Sequence, residues 1–191
     1  MKPNVILDLD QTLIDAKSTK EYKADKKIEK KFEYTNMDDV FIVFHRPHLQ
    51  EFLTFLFDNF NVSIWTAASK DYALFIIDKI ILKNIAKRKI DYIFFLYHGD
   101  ISIKLTNNSK NLNLLYNQFK LDNYNKDNTI IIDDYDEVCD TQPENCIQVK
   151  EFYIESGKDD TQLKDLIPIL TNMKENTENG KSFQVERKSK E

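Results

Sequence analysis

Residues 4–12 read NVILDLDQT, an unbroken aliphatic run that ends in two carboxylates one residue apart, followed by a threonine. A short apolar run without polar alternation, closed by turn-forming residues, is the pattern of a strand buried on both faces, as in a parallel sheet covered by helices. The side-chain period of two puts Asp8 and Asp10 on the same side. Both fall at the carboxyl end of the run, the edge at which open α/β sheets bind ligands. Two like charges so close are costly unless a proton or a cation lies between them. The pair therefore invites Mg²⁺, whose preferred ligands are carboxylate oxygens and water. Taken alone, the same acids also suit a turn or a helix cap.

Outward from this run, short β-branched segments alternate with segments of helical period, which is the signature of an α/β chain. Strands are expected at Val40–Phe44, Val62–Trp65, Tyr92–Tyr97, Thr129–Ile132 and Ile147–Val149. Helices are expected after Pro47, where Leu49, Phe52, Leu53, Leu56 and Phe57 recur at spacings of three and four, and after Ser69, a good N-cap residue. A short helix is expected around Leu112–Phe119. A closing helix spans Thr161–Met173, with Pro168 as a possible kink. The lysine-rich residues Ala16–Asp39 interrupt the step from first strand to first helix and read as a hairpin or excursion beside the site. Within them the run KADKKIEKK reads as a solvated face. One domain over residues 1–173 and a polar, frayed tail over 174–191 complete the expected organisation.

Composition narrows the class. With 41% hydrophobic and 31% charged residues the chain is globular rather than disordered, and no apolar run is long enough for a membrane span. An intracellular location, nuclear or cytoplasmic, is the expectation. A net charge of −5 argues against a dedicated nucleic-acid binder, which gains most of its affinity by neutralising phosphates. Cys139 and Cys146 are too far apart for a CxxC pair and are expected as two free thiols.

Three further segments add chemistry. Asp133 and Asp134 follow the apolar run TIII as Asp8 and Asp10 follow VIL, so two strands ending in acids can meet at one edge and share one metal. Thr66 closes VSIW ahead of the small residues Ala67 and Ala68. There a hydroxyl and backbone amides suit a phosphoryl oxygen, although an N-cap role for Thr66 is equally open. A cation is needed to balance phosphoryl charge. Lys110 is the first candidate and Lys104, in the same polar connection, its rival.

In this order the segments resemble the haloacid dehalogenase superfamily and, within it, the aspartate phosphatases that act on the C-terminal domain of RNA polymerase II. DLDQTLI is similar to that family's DLDETLV, HRPHLQEFL to its RPGLxEFL, and SIWTAASKDYA to its TAS motif with a tyrosine in the following helix. SKNLNLLYNQF followed by NTIIIDD is similar to its KPL…F…NTIxFDD arrangement. The resemblance implies a Rossmann-like parallel sheet flanked by helices, with a small insertion after the first strand. It implies a Mg²⁺-dependent phosphatase whose partner is a phosphorylated protein or peptide. Asp8 would form an aspartyl-phosphate and Asp10 would act as general acid, then base. Thr12 would brace the first loop, Thr66 would hold the phosphoryl oxygens with Ala67 and Tyr72 at the substrate, and Lys110 would balance charge. Asp8, Asp10 (through its main-chain carbonyl) and Asp134 would hold the metal, with Asp133 in support.

Three residues depart from the pattern: Gln11 stands for Glu, His48 for the Gly of RPG, and Tyr135 follows the second acidic pair. None removes a catalytic group, but they bear on substrate choice. Two other readings remain open, a phosphatase of small-molecule or nucleic-acid phosphates and a silent scaffold with the same fold.

Overall fold

In the computed structural model, residues 2–20, 22, 30–155, 157 and 159–185 are described. The opening run forms β1 (Asn4–Leu7), buried at every position. It is the central strand of a five-stranded parallel sheet, between β5 (Asn61–Trp65) and β7 (Thr129–Asp133), with β6 (Ile90–Phe94) and β8 (Cys146–Gln148) at the edges. Leu7 is in register with Ile64 and with Ile132, so β1, β5 and β7 end level with one another. That register delivers Asp8, Thr66, Asp133 and Asp134 to one rim.

The pleat sorts the core into two layers. Val5, Leu7, Val62, Ile64, Ile130 and Ile132 face one side. There they meet Leu49, Phe52, Leu53 and Leu56 of α1 (Leu49–Asn59), Ala73 and Ile76 of α2 (Lys70–Ile76), and Leu163, Leu166 and Leu170 of α5 (Gln162–Glu178). Ile6, Trp65 and Ile131 face the other side, against Leu114 and Leu115 of a π-helical turn (Leu114–Gln118) and Val138 and Cys139 of α4 (Asp136–Asp140). The five apolar positions that foretell α1 are the five it buries. After Ile76, α2 runs on as a π-helical stretch, Ile77–Leu82.

The interruption after β1 is an accessory antiparallel sheet, β2 (Ile14–Ser18), β4 (Phe41–His45) and β3 (Tyr34–Met37), in the order β2-β4-β3. The strand expected at Val40–Phe44 therefore belongs to this sheet. Most of the KADKKIEKK run, residues 23–29, lies outside the described residues. No helix among the described residues is long and apolar enough to cross a membrane.

Three expectations need correction. The Tyr92–Tyr97 strand stops at Phe94, and α3 (Leu96–Thr106) follows, a helix that sequence reading passed over. Only Ser102 of α3 is buried, so no apolar stripe marks it, and its aromatic start resembles strand. Cys139 and Cys146 are paired as a disulfide rather than free, because the end of α4 lies beside the start of β8. Finally, residues 174–185 do not fray. The closing helix runs to Glu178, and Phe183 is wholly buried, its ring 5.6 Å from that of Phe60 and its amide donating to the Asp127 carbonyl at 2.7 Å. Phe183 joins the main core, with Phe60 just after α1 as its ring partner, an environment that a reading of the tail alone does not contain.

Phe183→Ala should therefore destabilise the fold by about 3–5 kcal/mol, the cost of emptying a buried aromatic site. Denaturant unfolding checks it, and a shift below about 1 kcal/mol would mean that the segment is peripheral.

Candidate active site

Asp8, Asp133 and Asp134 reach the rim because β1 and β7 end there. Beyond Leu7 the amide of Asp8 still donates to the Ile132 carbonyl at 3.1 Å, fixing Asp8 beside β7 before the chain turns. The turn is tight. Gln11 takes a left-handed conformation (φ 57°), its amide donates to the Ile14 carbonyl at 2.8 Å, and the Leu13 amide donates to the Leu9 carbonyl at 2.8 Å. The strand ends at Leu7, so Asp10 is placed by this turn rather than by strand alternation.

Three of the expected acids converge. Asp8, Asp133 and Asp134 each offer a carboxylate oxygen, and these oxygens lie within 4.8 Å of one another. Lys110 sits among them, its Nζ donating to Asp8 Oδ1 at 2.5 Å and to Asp133 Oδ2 at 2.7 Å. Lys104 is exposed on α3, so Lys110 is the lysine brought to the acids. Thr12 donates through its hydroxyl to Asp134 Oδ1 at 2.6 Å. Asp133 accepts at both oxygens, from Lys110 and from the Tyr135 amide at 2.9 Å. It therefore has less capacity left for a metal than Asp8 or Asp134. The Asp10 carboxylate stands outside the cluster and accepts instead from the Tyr72 hydroxyl at 2.5 Å. The Tyr72 hydroxyl, expected at the substrate, is thus engaged with an acid.

Thr66 is buried, and its hydroxyl oxygen accepts the Ala68 amide at 3.0 Å, which leaves its proton to donate. It is not the helix cap, since Ser69 occupies that position. Ala67, in the loop after β5, is exposed, and so is Tyr135, at 57%, directly after the second acidic pair.

Burial opposes the ionised form of Asp8, Asp10 and Asp134. It pushes Asp8 up to about 8, against the pull of Lys110 and with the help of Asp133. Burial likewise raises Asp10 despite the Tyr72 hydrogen bond, and raises Asp134 despite that of Thr12. For Lys110 burial works against the charge, but the Asp8 and Asp133 carboxylates outweigh it and hold the ammonium above its ordinary value. One lysine cannot compensate three clustered carboxylates, two of them buried and the third half-buried. An all-oxygen cluster with residual negative charge is the donor set that a small hard divalent cation prefers, so these residues fit Mg²⁺.

Sequence reading missed the residues that frame the lysine and the loop. Asn108 Oδ1 accepts the Lys110 amide at 2.8 Å, and Gln142 Nε2 donates to the Lys110 carbonyl at 2.8 Å. Arg46, within the HRPHLQEFL segment, is buried and donates to the Thr12 carbonyl at 2.8 Å and to the Lys150 carbonyl at 2.9 Å. It also donates to Asp160 at 3.1 and 2.8 Å, through Nε and Nη2, and to Gln162 at 3.0 Å. An arginine just ahead of a proline and a helix start was the available signal. Its partners Lys150, Asp160 and Gln162, more than a hundred residues away, gave none.

Comparison with known proteins agrees with this geometry. The chain belongs to the NLI interacting factor-like phosphatase family, whose model matches residues 3–180. It is 41% identical over 175 residues to the CTD phosphatase-like protein 355R of Invertebrate iridescent virus 6, covering 86% of this chain and 96% of that protein. The counterpart from Invertebrate iridescent virus 3 is 40% identical over 172 residues, covering 85% of this chain and 91% of the relative. The solved structure of Fcp1, an RNA polymerase II CTD phosphatase, superposes with a TM-score of 0.55 at 20% identity, covering 93% of this chain. This chain spans 52% of that protein, and the likeness is one of fold: a parallel sheet flanked by helices, of the haloacid dehalogenase kind.

If the cluster binds a divalent ion, Mg²⁺ at a hundredfold over its dissociation constant should stabilise the folded protein by about 2.7 kcal/mol. Asp134→Asn should remove most of that gain. A thermal midpoint that ignores Mg²⁺ would count against a metal site.

Proposed function

We propose that this protein is a Mg²⁺-dependent phosphoprotein phosphatase that hydrolyses phosphoserine or phosphothreonine through an aspartyl-phosphate on Asp8. One observation carries the reading: the carboxylates of Asp8, Asp133 and Asp134 crowd within 4.8 Å, and Lys110 bridges two of them. The CTD phosphatase-like names of the viral relatives support a phosphorylated protein as substrate.

The chemistry follows from positions. An Asp8 carboxylate oxygen attacks phosphorus while the bond to the seryl oxygen breaks, and Asp10 supplies the proton that the departing oxygen needs. Water then attacks the acyl phosphate with Asp10 as base, which frees phosphate and restores Asp8. The Thr66 hydroxyl and the amides of the loop after β5 hold the non-bridging oxygens, a preorganised anion cradle. Lys110 balances the charge of nucleophile and phosphoryl group, and Asp133, held by the Tyr135 amide, aims it. Asp8, Asp134 and the Asp10 main-chain carbonyl are the groups that would hold Mg²⁺, with Thr12 orienting Asp134. When bound, the ion supplies positive charge to the phosphoryl oxygens and allows Asp8 to be ionised at neutral pH.

Asp8→Asn should lower kcat/KM for a phosphoserine peptide by about a thousandfold or more while leaving the fold intact, as loss of a nucleophile does. Rapid acid quench of the wild type with labelled phosphopeptide should trap a protein-bound label that hydroxylamine releases. Turnover by Asp8→Asn at the wild-type rate would refute the nucleophile assignment. Folded, Mg²⁺-loaded protein inert toward every phosphopeptide and aryl phosphate would refute the enzymatic reading.

A further inference from the structure

Tyr72 lies in α2 and Asp10 in the first loop, 62 residues apart, yet the Tyr72 hydroxyl donates to Asp10 Oδ1 at 2.5 Å. The other end of the tyrosine is fixed as well. Its ring meets Phe41 of β4 edge to face, with centroids 5.7 Å apart and planes at 80°. Such a pair is worth about 0.5–1.5 kcal/mol beyond its buried area, enough to favour one ring orientation. The accessory sheet thus holds the ring that holds the acid.

We propose that Tyr72 is a positioning residue for the general acid. By occupying Oδ1 as an acceptor it fixes the Asp10 carboxyl and leaves Oδ2 as the oxygen that carries the catalytic proton, with Phe41 as its support. The inference rests on the assignment of Asp10 as acid and base. As the Asp8 oxygen bonds to phosphorus and the seryl oxygen departs, the Oδ2 proton passes to that oxygen and Asp10 becomes a carboxylate. When water attacks the acyl phosphate, its proton returns to Oδ2. A carboxyl free to rotate would offer the proton in only a fraction of its orientations, and the Tyr72 hydroxyl removes that freedom before the reaction begins.

A positioning role separates from substrate binding by leaving group. A seryl oxygen needs the proton to depart, whereas dinitrophenolate departs without it. The experiment measures kcat and KM for wild type, Tyr72→Phe, Asp10→Asn and the double variant, on a phosphoserine peptide and on dinitrophenyl phosphate. Tyr72→Phe should lower kcat on the peptide about tenfold, a share of the 10²–10⁴ that a positioned acid supplies, with KM changed less than about twofold. It should lose far less on dinitrophenyl phosphate in kcat/KM, which reports on the steps up to departure of the leaving group and not on the later hydrolysis shared by both substrates. In the Asp10→Asn background it should cost nothing further, because both changes remove one function. A raised KM with kcat intact, an equal loss of kcat/KM on both substrates, or full additivity with Asp10→Asn would overturn the inference. The thermal midpoint of Tyr72→Phe reports whether it folds. Were it unfolded at the assay temperature, Phe41→Leu, which leaves the hydroxyl in place, carries the same comparison and should show the same pattern at smaller amplitude. Asp10→Asn as fast as wild type on phosphoserine would overturn the acid assignment and the inference with it. An impaired Asp10→Asn beside a silent Tyr72→Phe would overturn the inference alone.

Discussion

A buried ammonium between two buried carboxylates governs this molecule. Lys110, Asp8 and Asp133 are each at most 6% exposed, so none of the charges is relieved by water, and each would be strongly destabilising if left alone. Their mutual distances of 2.5 and 2.7 Å are possible only if β1, β7 and the loop before the π-helical turn end at the same level. The parallel register of Leu7 with Ile132 meets that condition, and the Asn108 and Gln142 side chains clamp the Lys110 backbone on the remaining side. The sheet therefore constrains the site and the site constrains the sheet. The arrangement also leaves the cluster short of positive charge, since Asp134 shares the same space.

Arg46 is a second buried cation, and its role is complementary. Its guanidinium joins the first loop, through the Thr12 carbonyl, to the segment after β8 and to the start of α5. A guanidinium presents several donors in a fixed plane, and five bonds to four partners use that geometry where a lysine would not. The adjacent His48 takes a left-handed conformation (φ 64°) at the start of α1, which explains why a glycine suits that position in the pattern this segment resembles. His48 accepts the conformational cost while its Nδ1 lies 3.3 Å from Glu51.

Legibility from sequence followed the range of the interaction. The acids at the ends of β1 and β7 were readable because strand, turn and carboxylate are contiguous, and α1 was readable because its buried face repeats every three or four residues. Lys110 could be narrowed to two candidates and no further, since only the fold distinguishes a lysine at the acids from one exposed on α3. The helix α3 carries exposed Leu96, Tyr97, Ile103 and Leu105 and so lacks the stripe that pattern reading requires. The engagement of Asp10 with Tyr72, the burial of Phe183 and the partners of Arg46 all join residues distant in the chain, and local pattern carries no information about them.

The accessory sheet then has a structural reason to exist beyond filling the interval between β1 and α1. The segment after β8 turns back across it: the Phe152 amide donates to the Gln11 carbonyl at 2.7 Å, and the Ile154 amide donates to Asp15 Oδ2 at 3.0 Å. Phe152 packs with Phe32 and Phe44 in a small core of its own, roofed by Arg46 at 5.5 Å. The loop that carries Asp8, Asp10 and Thr12 is thus held from one side by β7 and Lys110, and from the other by a wall whose stability depends on β2 and β4. Loops are ordinarily the softest part of an α/β protein. Here the first loop is fastened at Asp8, Asp10, Gln11 and Thr12 to four different parts of the chain. A site that must keep several carboxylates in fixed relation despite their repulsion requires such fastening, because any slack would let them separate and be solvated individually.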